Sequence, residues 1–245
     1  MDNSAPVVVL KDQGGHAAVA VARSLGRLGI PTYLVSEDGP SAVGASRYWT
    51  NRFAWDLSGP NDQSLRTLLD AGREIGSRPV LLAIADSTAL FIEKNASVLE
   101  KYFIFPKAPP PLIQALTNKW QMFAAAKEHG IPTPEVMYPR SRADVVNFIK
   151  TARFPIVLKG AVHLLPQAKW KTIVHTTAEL LEKYNSASAS GNPNLILQEY
   201  MPGDDESVWM CNAYFGAGSE CRAIFSGKKI RQTPPPASIS TLAVR

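Results

Sequence analysis

Cysteine is almost absent: Cys211 and Cys221 are the only two in 245 residues. Two cysteines make no disulfide framework, and their spacing fits no zinc site. Both are expected to stay reduced, as in the cytoplasm. Long apolar runs are missing too. The longest, over residues 80–85, is far too short to cross a bilayer. The opening MDNSAPVVVL enters an apolar strand at once and does not read as a secretory leader. No block of five or more like charges occurs, although 26 Lys and Arg outnumber 21 Asp and Glu to leave +5. Nucleic-acid binding therefore lacks its expected basic patch, and part of the surplus suits a polyphosphate ligand instead. Carboxylates run out early, with no Asp or Glu after Glu220.

What is present is ordinary for a folded protein: 45% hydrophobic and 19% charged residues, enough to bury a core and too apolar for disorder. VVVL at 7–10 reads as a buried strand. A helical pattern over 17–28 follows, stopping at Gly29, and PTYLVS at 31–36 is a second strand. Strand–helix–strand units build parallel sheets. A helix over 62–75, a strand over 79–85 ending at Asp86 and a helix over 90–101 complete a small open α/β domain, residues 1–108. KAPPP at 107–111 interrupts both periodicities. Residues 109–245 then form a second region. Its expected helices cover 111–116, 118–129, 144–151 and 177–186. Its expected strands cover 156–159, 171–175 and 195–199. A hairpin is expected over 208–215 and 220–226 around FGAGS, and 227–245 reads as irregular.

Several residues carry chemical promise. LILQEYMPGDDE at 195–206 is an apolar strand entering a polar turn, with carboxylates at Glu199 and Glu206. Such a strand can offer backbone groups to a flat base while a carboxylate beyond it reaches ribose hydroxyls. Lys159 ends the apolar strand FPIVLK, where a lysine either snorkels to solvent or meets an anion. Asp86 lies beyond the carboxyl end of a strand, where open α/β sheets place ligands. Gly14-Gly15 between a strand and a helix resembles a pyrophosphate turn, and His16 stands at that helix start. The G-x-G-x-x-G spacing is absent, however, and only Glu37 and Asp38 approach the acidic position after the second strand. Asp204 and Asp205 suit turn formation, and His163 and His175 suit structural roles.

These pieces together resemble the ATP-grasp superfamily, in particular its carbamoyl-phosphate-synthetase-like carboxylate–amine ligases. The resemblance rests on NK at 118–119, AAAKEHGIPTP at 124–134, FPIVLK at 154–159, LILQEYMPGDDE at 195–206 and GKKIRQTPP at 227–235, in that order. It implies an α/β N-terminal open parallel sheet (residues 1–108), followed by an incomplete α+β ATP-grasp domain (residues 109–245). The small lobe would span 118–200, and the large lobe would begin at 201–245. It also implies that Lys119, Lys159 and Lys171 meet phosphates, that Glu199, Tyr200 and Met201 form the hinge strand beside the adenine, and that Glu206 holds the ribose. Lys229 and Arg231 would stabilise the transferred phosphoryl group. ATP and Mg2+ would be the cofactors, and a small-molecule carboxylate and an amine the substrates, joined through an acyl-phosphate.

Two departures stand out. Family members carry a glycine-rich flap after the lysine strand, whose backbone N–H groups cover the phosphates. Here that stretch is GAVHLLPQAKWKT, in which Lys169 or Lys171 would substitute with side-chain charge. The family's metal carboxylates lie on late strands, and the lack of acidic residues after Glu220 leaves no protein ligand for Mg2+ in this chain. A fragment of a longer ligase is therefore expected, or a non-catalytic nucleotide-binding module. A Rossmann-type NAD(P) protein using residues 5–108 is the third reading.

Overall fold

VVVL lacks alternation because both of its faces are covered, as in sheets flanked by helices on either side. In the computed structural model, which describes residues 4–12, 15–37, 41–57, 59–162, 171–189, 194–203, 207–233 and 239–244, it forms β1 (Val7–Leu10). Val8 and Leu10 join one core cluster, while Val7 and Val9 join another. β1 pairs in parallel with β2 (Thr32–Ser36) and β4 (Val80–Ala83), and β2 pairs in parallel with β3 (Trp49–Ala54). The sheet order is β3-β2-β1-β4. On one face α1 (His16–Gly26) packs Ala18 against Val9 and Leu34. On the other, α2 (Asn61–Ile75), α3 (Asp86–Lys94) and α4 (Ala96–Leu99) supply Leu68, Phe91, Ile92 and Leu99 around Trp55 and Phe103. This is the open parallel sheet expected from the sequence.

Two details differ from expectation. β3 is an additional edge strand. Its TNR centre is exposed, so it shows no apolar periodicity and owes its form to pairing with β2. The helix expected from residue 90 begins at Asp86, where the Thr88 hydroxyl bonds both the N–H and the carbonyl of Ala85. It then breaks at Asn95, whose side chain donates to the Phe91 carbonyl at 2.8 Å.

α5 (Leu112–Thr117) and α6 (Lys119–Glu128) lead into a four-stranded antiparallel sheet of order β5-β8-β6-β7. Its strands are β5 (Val136–Met137), β6 (Ile156–Gly160), β7 (Lys171–Val174) and β8 (Leu195–Glu199). α7 (Arg142–Ile149) and α8 (Thr177–Ser188) cover one face, with Val145, Leu180 and Tyr184 packed on Ile156, Leu158, Leu195 and Leu197. α7 starts two residues before Asp144. Ser141 caps it, accepting from the Asp144 N–H at 3.2 Å, while Asp144 accepts from the Ser141 N–H at 2.9 Å.

The expectation of irregular structure over 227–245 is wrong. β10 runs over Cys221–Thr233 and pairs antiparallel with β9 (Trp209–Phe215) and with β11 (Ile239–Val244). Register shifts at Lys229/Arg231 and Arg231/Gln232 disturb the two-residue alternation by which a strand is recognised in sequence.

Candidate functional site

The face of the second sheet opposite α7 and α8 is built row by row. Val136, Gln198, Val157 and Ile173 are paired in turn across β5, β8, β6 and β7. The next row along holds Ile196, Lys159 and Lys171. Side chains two apart on a strand share a face, so an apolar row interrupted by one carboxamide lies beside a row carrying two ammonium groups.

More cations converge on that second row. Lys119 opens α6, which a side-chain cap starts and two backbone ties place. The Asn118 side chain accepts from the N–H groups of Trp120 and Gln121 at 3.0 and 3.3 Å. The Lys119 N–H donates to the Ala161 carbonyl at 3.0 Å, and Asn118 bridges Val162. Buried Asn194 fixes the same corner. It holds φ at +46°, and its side chain accepts from the Val162 N–H at 3.2 Å and donates to the Val162 carbonyl at 3.3 Å.

The electrostatics follow from this crowding. Burial, then the charges of Lys119 and Lys171, push the Lys159 ammonium down to a pKa of about 8. Lys119 is also lowered by burial, with Asp86 opposing. Lys171 is lowered by burial and by Lys229. The Lys159 ammonium lies 5.3 Å from the Phe123 ring centroid, a contact that offsets part of its desolvation by about 0.5–2 kcal/mol. Lys119, Lys159 and Lys171, with Lys229 of β10 acting on Lys171, thus form a cationic patch in which Lys119 and Lys159 are half-buried and Lys171 is exposed. Such a patch raises the charged state in cost until an anion neutralises it.

The other expected residues divide. Tyr200 and Met201 follow β8 directly, Tyr200 half-buried and Met201 58% exposed. Glu199 is tied to β5: its carboxylate accepts from the Glu135 N–H at 3.2 Å, and its own N–H donates to the Glu135 carbonyl at 2.8 Å. Arg231 lies in β10 beside the bulge, opposite Leu242. Asp86 begins α3 at the carboxyl edge of the parallel sheet, and its charge acts on Lys119. Glu206, Asp204, Asp205, Lys169, His163, Gly14 and Asp38 lie outside the described residues. At Gly15, an added Cβ would come within 2.3 Å of Val43 Cγ2. Its bareness serves that close packing rather than the approach of a pyrophosphate.

Sequence reasoning passed over Gln198, Phe123, Asn194, Asp12 and Ser87. Asp12 accepts from the Ser87 hydroxyl at 2.6 Å at the carboxyl edge of the parallel sheet. The polar residues carry no motif. The one available signal is the alternation of Gln198 with Ile196 and Lys159's neighbours once the strands are paired. Among the described residues, no group of three or more His, Cys, Asp or Glu could hold a metal ion, and no helix is long and apolar enough to cross a membrane.

No protein-family model matches the chain. It is 27% identical over 175 residues to a D-aspartate ligase of Enterococcus faecium (strain Aus0004), a match covering 67% of this chain and 42% of that protein. Its fold matches an L-amino acid ligase from Bacillus licheniformis, with a TM-score of 0.67 at 13% identity, over 98% of this chain and 57% of the other. It also matches N5-carboxyaminoimidazole synthetase from Staphylococcus aureus complexed with ADP, with a TM-score of 0.68 at 12% identity, over 94% and 56%. The chain thus spans about half the length of the relatives it matches. The parallel-sheet unit followed by two antiparallel sheets thus matches the fold of these ligases, which is the ATP-grasp fold.

Proposed function

We propose that the chain binds ATP on the lysine-bearing face of the second sheet and, within the whole protein, serves an ATP-dependent carboxylate–amine ligase. The convergence of Lys119, Lys159 and Lys171, with Lys229 acting on Lys171, carries this reading. Lys119 and Lys159 are half-buried, and burial together with the charges of Lys119 and Lys171 disfavours the Lys159 ammonium, a cost that a polyanion at this place relieves. The apolar row of Val136, Val157 and Ile173 beside them suits a nucleobase.

In this reading Lys119 and Lys159 hold phosphate oxygens, and Lys171, Lys229 and Arg231 neutralise charge on the transferred group. A carboxylate oxygen of the substrate attacks the γ-phosphorus, and the bond to ADP breaks. The amine nitrogen then attacks the acyl carbon and phosphate leaves, while the nitrogen gives up its proton. Positioning and charge neutralisation supply the rate enhancement, as in phosphoryl transfer generally. Glu206 remains the proposed ribose carboxylate, with Tyr200 and Met201 at the base. Mg2+ finds no ligand set among the described residues, and no step here passes through it. The names of the relatives, a D-aspartate ligase and an L-amino acid ligase, support amino acids as the substrate class.

The test is calorimetric titration of the chain with ATP, with and without Mg2+, beside the Lys159→Met variant. Loss of one charged hydrogen-bond donor to phosphate lowers affinity about 10- to 100-fold. No heat and no thermal shift with millimolar ATP, in a protein with a cooperative melt, would rule the reading out.

A further inference from the structure

Gln198 holds an orphan. Among the described residues, its Oε1 is the buried side-chain polar atom without a hydrogen-bond partner. Buried acceptors are nearly always paired, and the exceptions call for an explanation. The other end of the carboxamide, Nε2, donates to the Glu199 carbonyl at 3.4 Å. Exchanging the two ends would set one acceptor against another, so the orientation is chemically sound. It leaves the oxygen without a donor.

The position of the orphan is specific. Gln198 is flanked across the strands by Val136 and Val157, on the face that carries Lys159 and Lys171. It is the one polar member of the otherwise apolar row. The residue as a whole is only half-buried. A turn about its side-chain bonds would bring the oxygen to the ligand side while Nε2 stays on the Glu199 carbonyl, and that hydrogen bond makes the oxygen, not the amide nitrogen, the end offered to a ligand. A ligand lying over this row, whose Val136 and Ile173 are part-accessible, with its anionic end among the lysines, would set the edge of its flat part against this acceptor.

We infer that Gln198 reads the base: its side-chain carbonyl accepts from the 6-amino group of adenine and selects 6-aminopurine over 6-oxopurine nucleotides. This rests on the nucleotide-site reading above. A 6-oxopurine such as that of inosine triphosphate presents an acceptor at the same place, and two acceptors facing each other in a desolvated site repel. Removing the carboxamide removes both the attraction for the amino group and the repulsion of the oxo group. Sites built to hydrogen-bond a polar group discriminate far more strongly than apolar ones.

The experiment compares the Kd of ATP and of inosine triphosphate for the wild-type chain and for Gln198→Met, which keeps the volume. The wild type is expected to bind ATP about tenfold or more tightly than inosine triphosphate. In Gln198→Met that ratio is expected to fall to near one, chiefly through weaker ATP binding. Retained inosine triphosphate binding shows that the variant is folded. Equal binding of the two nucleotides by the wild type, or an unchanged ratio in the variant, overturns the assignment and leaves the nucleotide site standing. Failure of the wild type to bind either nucleotide overturns the site itself, and the assignment with it.

Discussion

Lys159 keeps a charge that its surroundings oppose. With the folded pKa near 8 and an ordinary value near 10.4, the folded chain releases this proton first. Between those values the unfolded chain binds more protons, so stability rises with pH across that window. Below about pH 8 the cost is fully present. Lys159→Met should therefore raise the thermal midpoint at pH 7 by a few degrees and lose that advantage near pH 10, as read by melts at both pH values. Nucleotide phosphates would draw the proton back. ATP binding should then take up part of a proton near pH 8 and weaken above it, seen as a binding heat that changes with the ionisation enthalpy of the buffer. Burial first, then the charges of Lys119 and Lys171, sets the size of the effect. Lys159 was legible in the sequence because a lysine closing an apolar run is conspicuous. Gln198 was not, since a glutamine in a strand is unremarkable until its oxygen is seen to lack a donor.

At the scale of elements, the cationic patch depends on one asparagine corner. Asn194 joins the end of β6 to the entry of β8 and braces the backbone to which Lys119 is bonded. Asn194→Ala deletes two hydrogen bonds to Val162 and puts a Cβ without local hydrogen bonding at φ +46°. It should cost about 2–4 kcal/mol, read from urea unfolding. Asn194→Gly relieves the backbone strain but not the lost bonds, and should recover about 1 kcal/mol of that. The principal helices and the three core strands of the second sheet were readable because caps and apolar stretches mark them. Asn118 and Thr176 announce α6 and α8 through side chains that accept from the first turn. β3 and the β10–β11 pair were not readable. The first is an exposed edge, and the second carries bulges at the two cations of interest.

At the scale of the molecule, the open parallel sheet and the lysine-bearing sheet were both foreseen. The approach of Lys229 in β10 to Lys171 in β7 was not, because no strand pairing links their two sheets. The sheet of β9 and β10 exposes large apolar side chains: on one face alone, Trp209 is 65%, Phe215 58% and Ile224 67% accessible. Apolar groups gathered in this way mark binding or association surfaces. The chain should bind a hydrophobic dye there. The double variant Trp209→Lys, Ile224→Lys should reduce dye binding several-fold while far-ultraviolet circular dichroism stays unchanged.

Asp86 and Lys119 belong to different sheets' neighbourhoods, yet the carboxylate acts on the ammonium. A phosphate arriving at Lys119 would compete with Asp86 for the same cation. Phosphate at Lys119 and the negative charge at the start of α3 then become linked quantities, each disfavouring the other by an equal factor. Amide hydrogen exchange along Asp86–Lys94 should therefore register nucleotide that never touches that helix, and Asp86→Asn should silence the response while tightening the nucleotide.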